Sequence, residues 1–146
     1  MSIPEKSIDK VQDIIIEEFS MFDDWMDRYD HLIEEGKDMP VIEEKYKKND
    51  YLIEGCQSRV WLYPELTNGR LFFTADSDAI IVRGIIALLV KVLSGRTPDE
   101  ILNTDLYFID RIGLHQNLSP TRSNGLLAML KQMKIYALAY KAKQDK

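Results

Sequence analysis

The dipeptide Asn68-Gly69 lies near the middle of the chain, between short runs of aliphatic, aromatic and β-branched residues. Both residues tolerate a positive φ, so the pair predicts a tight antiparallel hairpin. Pro64 is expected to end the first strand of that hairpin, because proline removes a donor from a strand ladder. The strand-like runs cover residues 51–53, 60–63 and 71–75. We therefore predict a small, mostly antiparallel sheet of about three strands.

Helical periodicity occupies the chain on both sides of this strand block. Gly36 is expected to end the second helix, and Pro40 blocks its continuation. Ser77 and Asp78 are expected to cap the third helix. The predicted helices cover residues 8–22, 25–33, 79–93 and 98–102, and a last helix runs from Pro120 through Tyr140. Since the strands form one block without βαβ alternation, we predict an α+β fold, a small sheet packed with helices.

Length and charge exclude several function classes. The chain has 146 residues and a net charge of −5, which suits a single domain over residues 1–146 and disfavours a nucleic-acid partner. The most apolar segment, 79–93, is interrupted by Arg83 and Lys91 and is too short for a membrane helix, so no membrane association is expected. The chain has a single cysteine, and its first residues lack the basic and then apolar pattern of a signal peptide. We therefore expect a cytoplasmic protein.

The lone cysteine, Cys56, does not belong to any apolar periodicity. It lies in the polar segment 54–58, between two strand-like runs, where Gly55 lets the backbone turn. Most lone cysteines are small buried hydrophobes, but a loop held by a sheet is a common place for a reactive group. A nucleophilic thiol needs a lowered pKa or a group that holds the anion. Arg59 in sequence and Arg122 in space are the candidates for that role.

Two other arrangements of reactive side chains are weaker. A Cys–His pair of Cys56 with His115 lacks any local protease signature. Asp24, Asp27 and His31 share a helical face and could be read as metal ligands, but a solvated face with an Asp24–Arg28 ion pair is the simpler interpretation. We therefore expect no metal site and, without a Gly-rich phosphate loop, no bound nucleotide.

The segment Gly55-Cys56-Gln57-Ser58-Arg59-Val60-Trp61 resembles the GCQSxVW signature of the SufE family of sulfur-acceptor proteins. Three later blocks match the same family in the same order, and they cover residues 75–84, 113–114 and 118–126. Four blocks in order are more specific than one short motif, and they span the chain from about the second helix to the last.

The resemblance implies a fold shared with IscU-like scaffolds and a role in sulfur transfer. A SufE-like protein accepts persulfide sulfur from a pyridoxal-phosphate cysteine desulfurase, here SufS-like or CsdA-like, and stimulates that enzyme. It then passes the sulfur to an iron–sulfur scaffold complex of the SufBCD-like kind. By match to the motif, Cys56 is the acceptor, in a transpersulfidation that needs no cofactor and makes the chain an accessory protein rather than an independent enzyme. Monomer and homodimer both remain open.

The neighbours of Cys56 receive supporting roles in this interpretation. Cys56 is expected to rest in an apolar recess and to swing out on Gly55, with Gln57 and Ser58 contacting the partner. Arg122 is expected to give electrostatic support, and Asp78 to cap a helix or to hold the loop. The alternatives are a thiol-based redox sensor and a non-catalytic binding module that activates a desulfurase. The hypothesis that the chain is itself an iron–sulfur scaffold is weak, because one cysteine cannot supply three or four thiolate ligands.

Overall fold

The computed structural model of the chain describes residues 3–144. Two single-turn 3-10 helices, Glu44–Tyr46 and Asn49–Tyr51, precede strands β1 (Val60–Thr67) and β2 (Arg70–Ser77). The α-helices are α1 (Ile8–Ser20), α2 (Trp25–Asp38), α3 (Ile80–Leu93), α4 (Pro98–Asn103), α5 (Phe108–Arg111), α6 (Leu114–Asn117) and α7 (Pro120–Gln144). The predicted α+β class, with an antiparallel sheet packed with helices, is confirmed.

Strands β1 and β2 form the predicted hairpin. They pair antiparallel, from Val60 opposite Ser77 to Thr67 opposite Arg70. The turn residues Asn68 and Gly69 have φ values of 52° and 78°, the left-handed conformation that this dipeptide tolerates. The alternation of buried residues along β1 turns one face of the sheet toward the core.

The predicted third strand, 51–53, is wrong. Within the described residues the sheet has two strands, and Leu52 makes only an isolated bridge to Trp61. The Ile53 N–H donates to the Val60 carbonyl at 2.8 Å. A 3-10 turn precedes this pair, and the chain turns again at Gly55, so too few extended residues remain to form a ladder.

The prediction that Pro64 ends β1 is also wrong, because the strand continues to Thr67. Pro64 pairs with Phe73, and the N–H of Phe73 points away from β1 and donates to Ser94 Oγ at 2.9 Å. In an antiparallel ladder such a position exchanges no hydrogen bonds between the two strands. The missing N–H of Pro64 therefore falls on the outer edge, where proline is tolerated.

Gly36 does not end α2, which runs two residues further to Asp38 and stops before Pro40. A Cβ atom on Gly36 would lie 3.0 Å from the backbone nitrogen of Gly84 on α3. A Cβ atom on Gly84 would collide with the Leu32 carbonyl group of α2. These two glycines let the backbones of α2 and α3 approach closely, so Gly36 is a packing residue and not a terminator.

Helix α3 lies at the centre of the core and packs against β2, α1, α2 and α7, as its nearly uninterrupted apolar surface predicts. The capping box that opens α4 is present, with Thr97 and Glu100 bonding reciprocally. Helices α5 and α6 were not predicted, because four residues are too few to show a period. Within residues 3–144, no helix is both long enough and apolar enough to cross a membrane.

Candidate functional site

The thiol of Cys56 is half-buried against α7. Its Sγ atom lies 3.7 Å from the carbonyl oxygen of Gly125, close enough for a weak S–H donation. A Cβ atom on Gly125 would stand 3.7 Å from the same sulfur, so the missing side chain leaves the thiol room beside the helix. Gly125 is part of the sequence block 118–126, but its role against the thiol could not be predicted without the fold.

Gly55 provides the turn that brings Cys56 to this position. Its φ is 91°, in the region that favours glycine, and a Cβ atom there would lie 3.3 Å from the Cβ of Ala128 on α7. Backbone conformation and close approach both require glycine here. The hinge motion at Gly55 stays a prediction.

The other end of the loop is fixed to the end of β2 through the backbone of Arg59. The Arg59 N–H donates to Asp78 Oδ1 at 3.0 Å, and the Arg59 carbonyl accepts from Ser77 Oγ at 2.8 Å. The Asp78 N–H donates to the same carbonyl at 3.2 Å. Three hydrogen bonds therefore hold the exit of the loop, while within residues 3–144 its tip makes one weak hydrogen bond, that of the thiol.

Asp78 does not cap α3, so that half of its predicted role is wrong. The residue before the helix is Ala79, whose N–H donates to Ser77 Oγ at 3.2 Å. The Asp78 carboxylate is turned instead toward Arg59, which places it in the loop-holding position. Ser77 is 1% exposed and serves both the helix start and the loop, a double role that the sequence does not indicate.

Cys56 opens onto a cavity of about 540 Å³ between the loop, the start of α3 and the start of α7. Gln57 and Ser58 line it from the loop, so the structure brings these two predicted residues together with Cys56. The wall from α3 is apolar, and α7 adds polar and charged groups. The residues that line these two walls include Ile81, Val82 and Ile85 of α3, Ser119 just before α7, and Thr121, Arg122 and Met129 of α7.

Of the two candidate arginines, Arg122 lines the cavity and Arg59 does not. The Arg122 backbone N–H donates to Ser119 Oγ at 3.3 Å, which fixes the residue in the first turn of α7. Within residues 3–144, no hydrogen bond or ion pair engages its guanidinium group. The cavity therefore has a cationic group at its exposed margin that remains available to an anion.

Burial raises the pKa of the Cys56 thiol above its ordinary value. This shift is opposite to the lowered pKa that a permanently reactive thiol requires. At neutral pH the resting thiol is protonated and a poor nucleophile. A change in surroundings that lowers this pKa would raise the fraction of reactive thiolate.

An ion-pair cluster beside the loop was not foreseen. Asp76 receives Lys47 Nζ at 2.6 Å and Arg83 Nε at 2.7 Å, and it accepts the Ser77 N–H at 2.8 Å. Burial alone would raise the pKa of the Asp76 carboxyl, but the Lys47 and Ser77 hydrogen bonds and the Arg83 charge lower it overall. The cluster ties β2 to α3 and to the 3-10 segment, immediately before the residues that hold the loop.

The structure brings together neither the Cys56–His115 pair nor the set of Asp24, Asp27 and His31. His115 does not line the Cys56 cavity, and its Nε2 lies 3.7 Å from Asp110. Asp24 makes no ion pair with Arg28, because its carboxylate caps α2 by accepting the Met26 N–H at 3.0 Å.

Arg28 instead donates to the carbonyl oxygens of Phe22 and Ile112. The imidazole of His31 faces Glu18 and Glu35, and not the two aspartates with which it was grouped.

Comparison with known proteins matches this chain to the SufE family model, described as an Fe–S metabolism associated domain, over residues 13–137. An uncharacterized SufE-like protein of Rhizobium meliloti is 39% identical over 127 residues, covering 84% of this chain and 91% of the relative. A SufE-like protein of Arabidopsis thaliana, described as chloroplastic/mitochondrial, is 40% identical over 81% of this chain and 32% of its own length.

A solved structure supports the fold independently. The solution structure of a hypothetical protein from Thermus thermophilus superposes with a TM-score of 0.73, covering 94% of this chain and 97% of that one. The sequence identity is 19%, so the likeness concerns the fold alone.

Proposed function

Because this chain belongs to the SufE family, we propose that Cys56 accepts a sulfur atom from the persulfide of a pyridoxal-phosphate cysteine desulfurase. The chain then delivers that sulfur to an iron–sulfur cluster scaffold. The observation that carries the proposal is the half-buried Cys56 thiol, on a glycine-hinged loop that opens onto a partly apolar cavity. A lone reduced thiol suits the cytoplasm as the place of this reaction.

The transfer is a thiol exchange that balances without an added oxidant or reductant. The Cys56 thiolate attacks the outer sulfur of the desulfurase persulfide, and a new S–S bond forms at Cys56. The S–S bond of the donor breaks, and the desulfurase cysteine leaves as a thiolate that takes up a proton. The proton lost by Cys56 is thereby replaced on the donor, and the sulfane sulfur keeps its oxidation state.

The surroundings of Cys56 suit the product as well as the resting thiol. A persulfide terminates in a sulfur atom that is acidic and easily reduced, so it needs space, shelter and a nearby positive charge. The cavity supplies the space, Val82 and Ile85 supply apolar shelter, and Arg122 supplies the charge. No metal or resident cofactor takes part in these steps.

The exit of the loop is held more firmly than its entry and its tip, so we expect the tip to move. Its exit is held at Arg59 by three hydrogen bonds, whereas its entry turns at Gly55 and its tip has one weak contact to Gly125. Docking of a partner beside the loop can replace that contact at small cost. The segment 55–58 is therefore the part that carries Cys56 outward.

The raised pKa of Cys56 argues against the redox-sensor alternative, since a sensor cysteine is exposed and has a lowered pKa. A binding module that activates a desulfurase would use the same loop but would not need the thiol. The two remaining functions therefore differ in the fate of the sulfur atom.

Intact-protein mass spectrometry tests the proposal. The full chain is incubated with a cysteine desulfurase and free cysteine, without reductant, beside a Cys56→Ser control. We expect the mass of one sulfur atom to be added at Cys56 and to be absent from the control. No added sulfur with any SufS-like or CsdA-like desulfurase would contradict the proposal, and stimulation that survives Cys56→Ser would favour the binding module.

A further inference from the structure

Three metal-ligating side chains meet between α1 and α2, away from the Cys56 cavity. Glu18 lies in the last turn of α1, and His31 and Glu35 lie one turn apart on α2. One ligand atom from each side chain falls within 4.8 Å of the other two. None of the three residues lines the cavity of the sulfur site.

The distances within this cluster match those between ligands of one small cation. His31 Nε2 lies 3.4 Å from Glu18 Oε2 and 3.6 Å from Glu35 Oε1. Ligand atoms bound tetrahedrally at about 2.0–2.2 Å from Zn²⁺ are about 3.3–3.6 Å apart. An ion therefore fits between the imidazole and either carboxylate without a shift of the helices. The remaining distance, between the Glu18 and Glu35 carboxylates, can shorten by rotation of the Glu18 side chain, which is 35% exposed.

The imidazole nitrogen is already buried and without a hydrogen-bond partner. His31 Nε2 is shielded from solvent, although the whole side chain is 22% exposed, and within the described residues it makes no hydrogen bond and has only the two longer carboxylate contacts. The rings of Phe19 and Phe22 pack against the imidazole, with centroids 4.8 and 5.2 Å away. These contacts aim Nε2 at the two carboxylates. A cation there would give the nitrogen the partner it lacks.

Lys91 on α3 sets the charge and orientation of one ligand. Its Nζ atom lies 3.2 and 3.3 Å from the two oxygens of Glu35, whose side chain is 12% exposed. Groups that hydrogen-bond a ligating carboxylate commonly hold it in place in metal sites. The Lys91 side chain is 41% exposed, so it can also withdraw toward solvent when an ion takes up the Glu35 charge.

From this juxtaposition we infer that Glu18, His31 and Glu35 form a divalent transition-metal site that joins α1 to α2. One imidazole and two carboxylates form a ligand set that accepts Zn²⁺ and the neighbouring divalent ions, with a further position left for water. The site does not take part in sulfur transfer. Its effect is to fix the two N-terminal helices against each other, since binding to the folded chain alone stabilises it.

Zn²⁺ titration against a fluorescent zinc indicator tests this inference. The full chain carrying Cys56→Ser is the parent, so that the thiol cannot bind the ion. We expect one equivalent to bind, and His31→Gln or Glu18→Gln to weaken the affinity at least about tenfold. His115→Gln is the matched control, because it removes the other histidine, which faces a single carboxylate, and it should leave the affinity unchanged.

Thermal unfolding gives a second readout that does not depend on the indicator. Zn²⁺ should raise the unfolding midpoint of the parent and of His115→Gln, but not that of His31→Gln. Circular dichroism without metal checks that the variants are folded, and Glu18→Gln, at a more exposed residue, serves if His31→Gln is not.

Absence of stoichiometric binding by the parent would overturn the inference. So would the parent's affinity retained in both ligand variants. The first result would mean that the three side chains only contact one another.

Discussion

Helix α3 and the Cys56 loop both contact α7, but the two are held in different ways. The helix is buried along most of its surface by apolar packing and by a backbone-to-backbone crossing at Gly84, and its charged residues Arg83 and Lys91 pair with carboxylates. The loop is fixed by hydrogen bonds to Ser77 and Asp78 at its exit, and at its tip the half-buried thiol packs against α7 with one weak hydrogen bond to Gly125. Packing sets the position of α3, whereas the position of Cys56 depends on hydrogen bonds at the exit of the loop and on a weak one at its tip. The proposed transfer of sulfur between proteins would use the weaker attachment of the loop tip.

The largest loss of stability is expected from a substitution at the crossing of α2 and α3, which holds α3 in place. Gly84→Ala places a Cβ atom 2.8 Å from the carbonyl carbon of Leu32, a backbone group that cannot move aside. We expect a loss of about 2–3 kcal/mol in the free energy of unfolding, measured by urea denaturation. Gly125→Ala is the matched control, because its Cβ atom meets only the Cys56 sulfur at 3.7 Å.

That control should change the stability by less than about 1 kcal/mol, since alanine also favours the helix. Equal stability of the two variants would mean that the α2–α3 crossing is not as tight as described.

The Asp76 cluster lies between the two regions and should have the next largest effect. Asp76→Asn removes the charge that Lys47 and Arg83 share, and we expect a loss of about 1–2 kcal/mol near neutral pH. Because the pKa of Asp76 is lowered in the folded chain, its contribution is present above the ordinary pKa of an aspartate. It is lost as the pH falls through the lowered value in the folded chain.

Urea denaturation of the parent and Asp76→Asn at a series of acidic pH values checks both claims. The stability difference should shrink as the pH falls below the ordinary aspartate range. A difference that stays constant down to strongly acidic pH would show that the charge of Asp76 is not its cause.

A substitution that weakens the hydrogen bonds at the exit of the loop should increase the mobility of the loop without unfolding the core. Asp78→Ala removes the acceptor of the Arg59 N–H, and a lost hydrogen bond of about 1 kcal/mol corresponds to roughly fivefold faster exchange of that amide. Asp78→Asn keeps a side-chain oxygen and should retain most of the protection. Hydrogen exchange followed by NMR measures both, and unchanged exchange in Asp78→Ala would remove the loop-holding role.

The smallest effect is expected at the margin of the cavity. Arg122→Ala removes an exposed charge worth up to about 1 kcal/mol, so we expect sulfur acceptance to slow by roughly three- to fivefold with no loss of stability. Arg122→Lys keeps the charge and should retain most of the rate. The rate of persulfide appearance on Cys56 measures this, and an Arg122→Ala chain as fast as the parent would exclude electrostatic support.

The sequence predicts features that depend on neighbouring residues, and it misses those that depend on distant ones. Asn68-Gly69 encodes its turn locally, and the motif around Cys56 is contiguous. The prediction for Pro64 is wrong because its tolerance within β1 depends on its register opposite Phe73 of β2. Gly36 was misinterpreted because its reason for being glycine is Gly84 on another helix.

The candidate site divides in the same way. Cys56 and its loop neighbours could be named from one segment, and Arg122 from a matching block. The loop-holding bonds join residues 18 or 19 positions apart, and the thiol meets a carbonyl 69 positions away. No local pattern records such contacts, so the shelter that the resemblance implies for Cys56 could not be assigned to particular contacts before the fold was known.

The central claim is that the fold keeps Cys56 sheltered and protonated until the loop is released. The pH dependence of its alkylation by iodoacetamide, compared between the folded chain and the chain unfolded in urea, tests this most directly. We predict a midpoint at higher pH in the folded chain, because burial raises the pKa of the thiol, and a shift back toward the unfolded value in Asp78→Ala. A folded-chain midpoint at or below that of the unfolded chain would contradict the account.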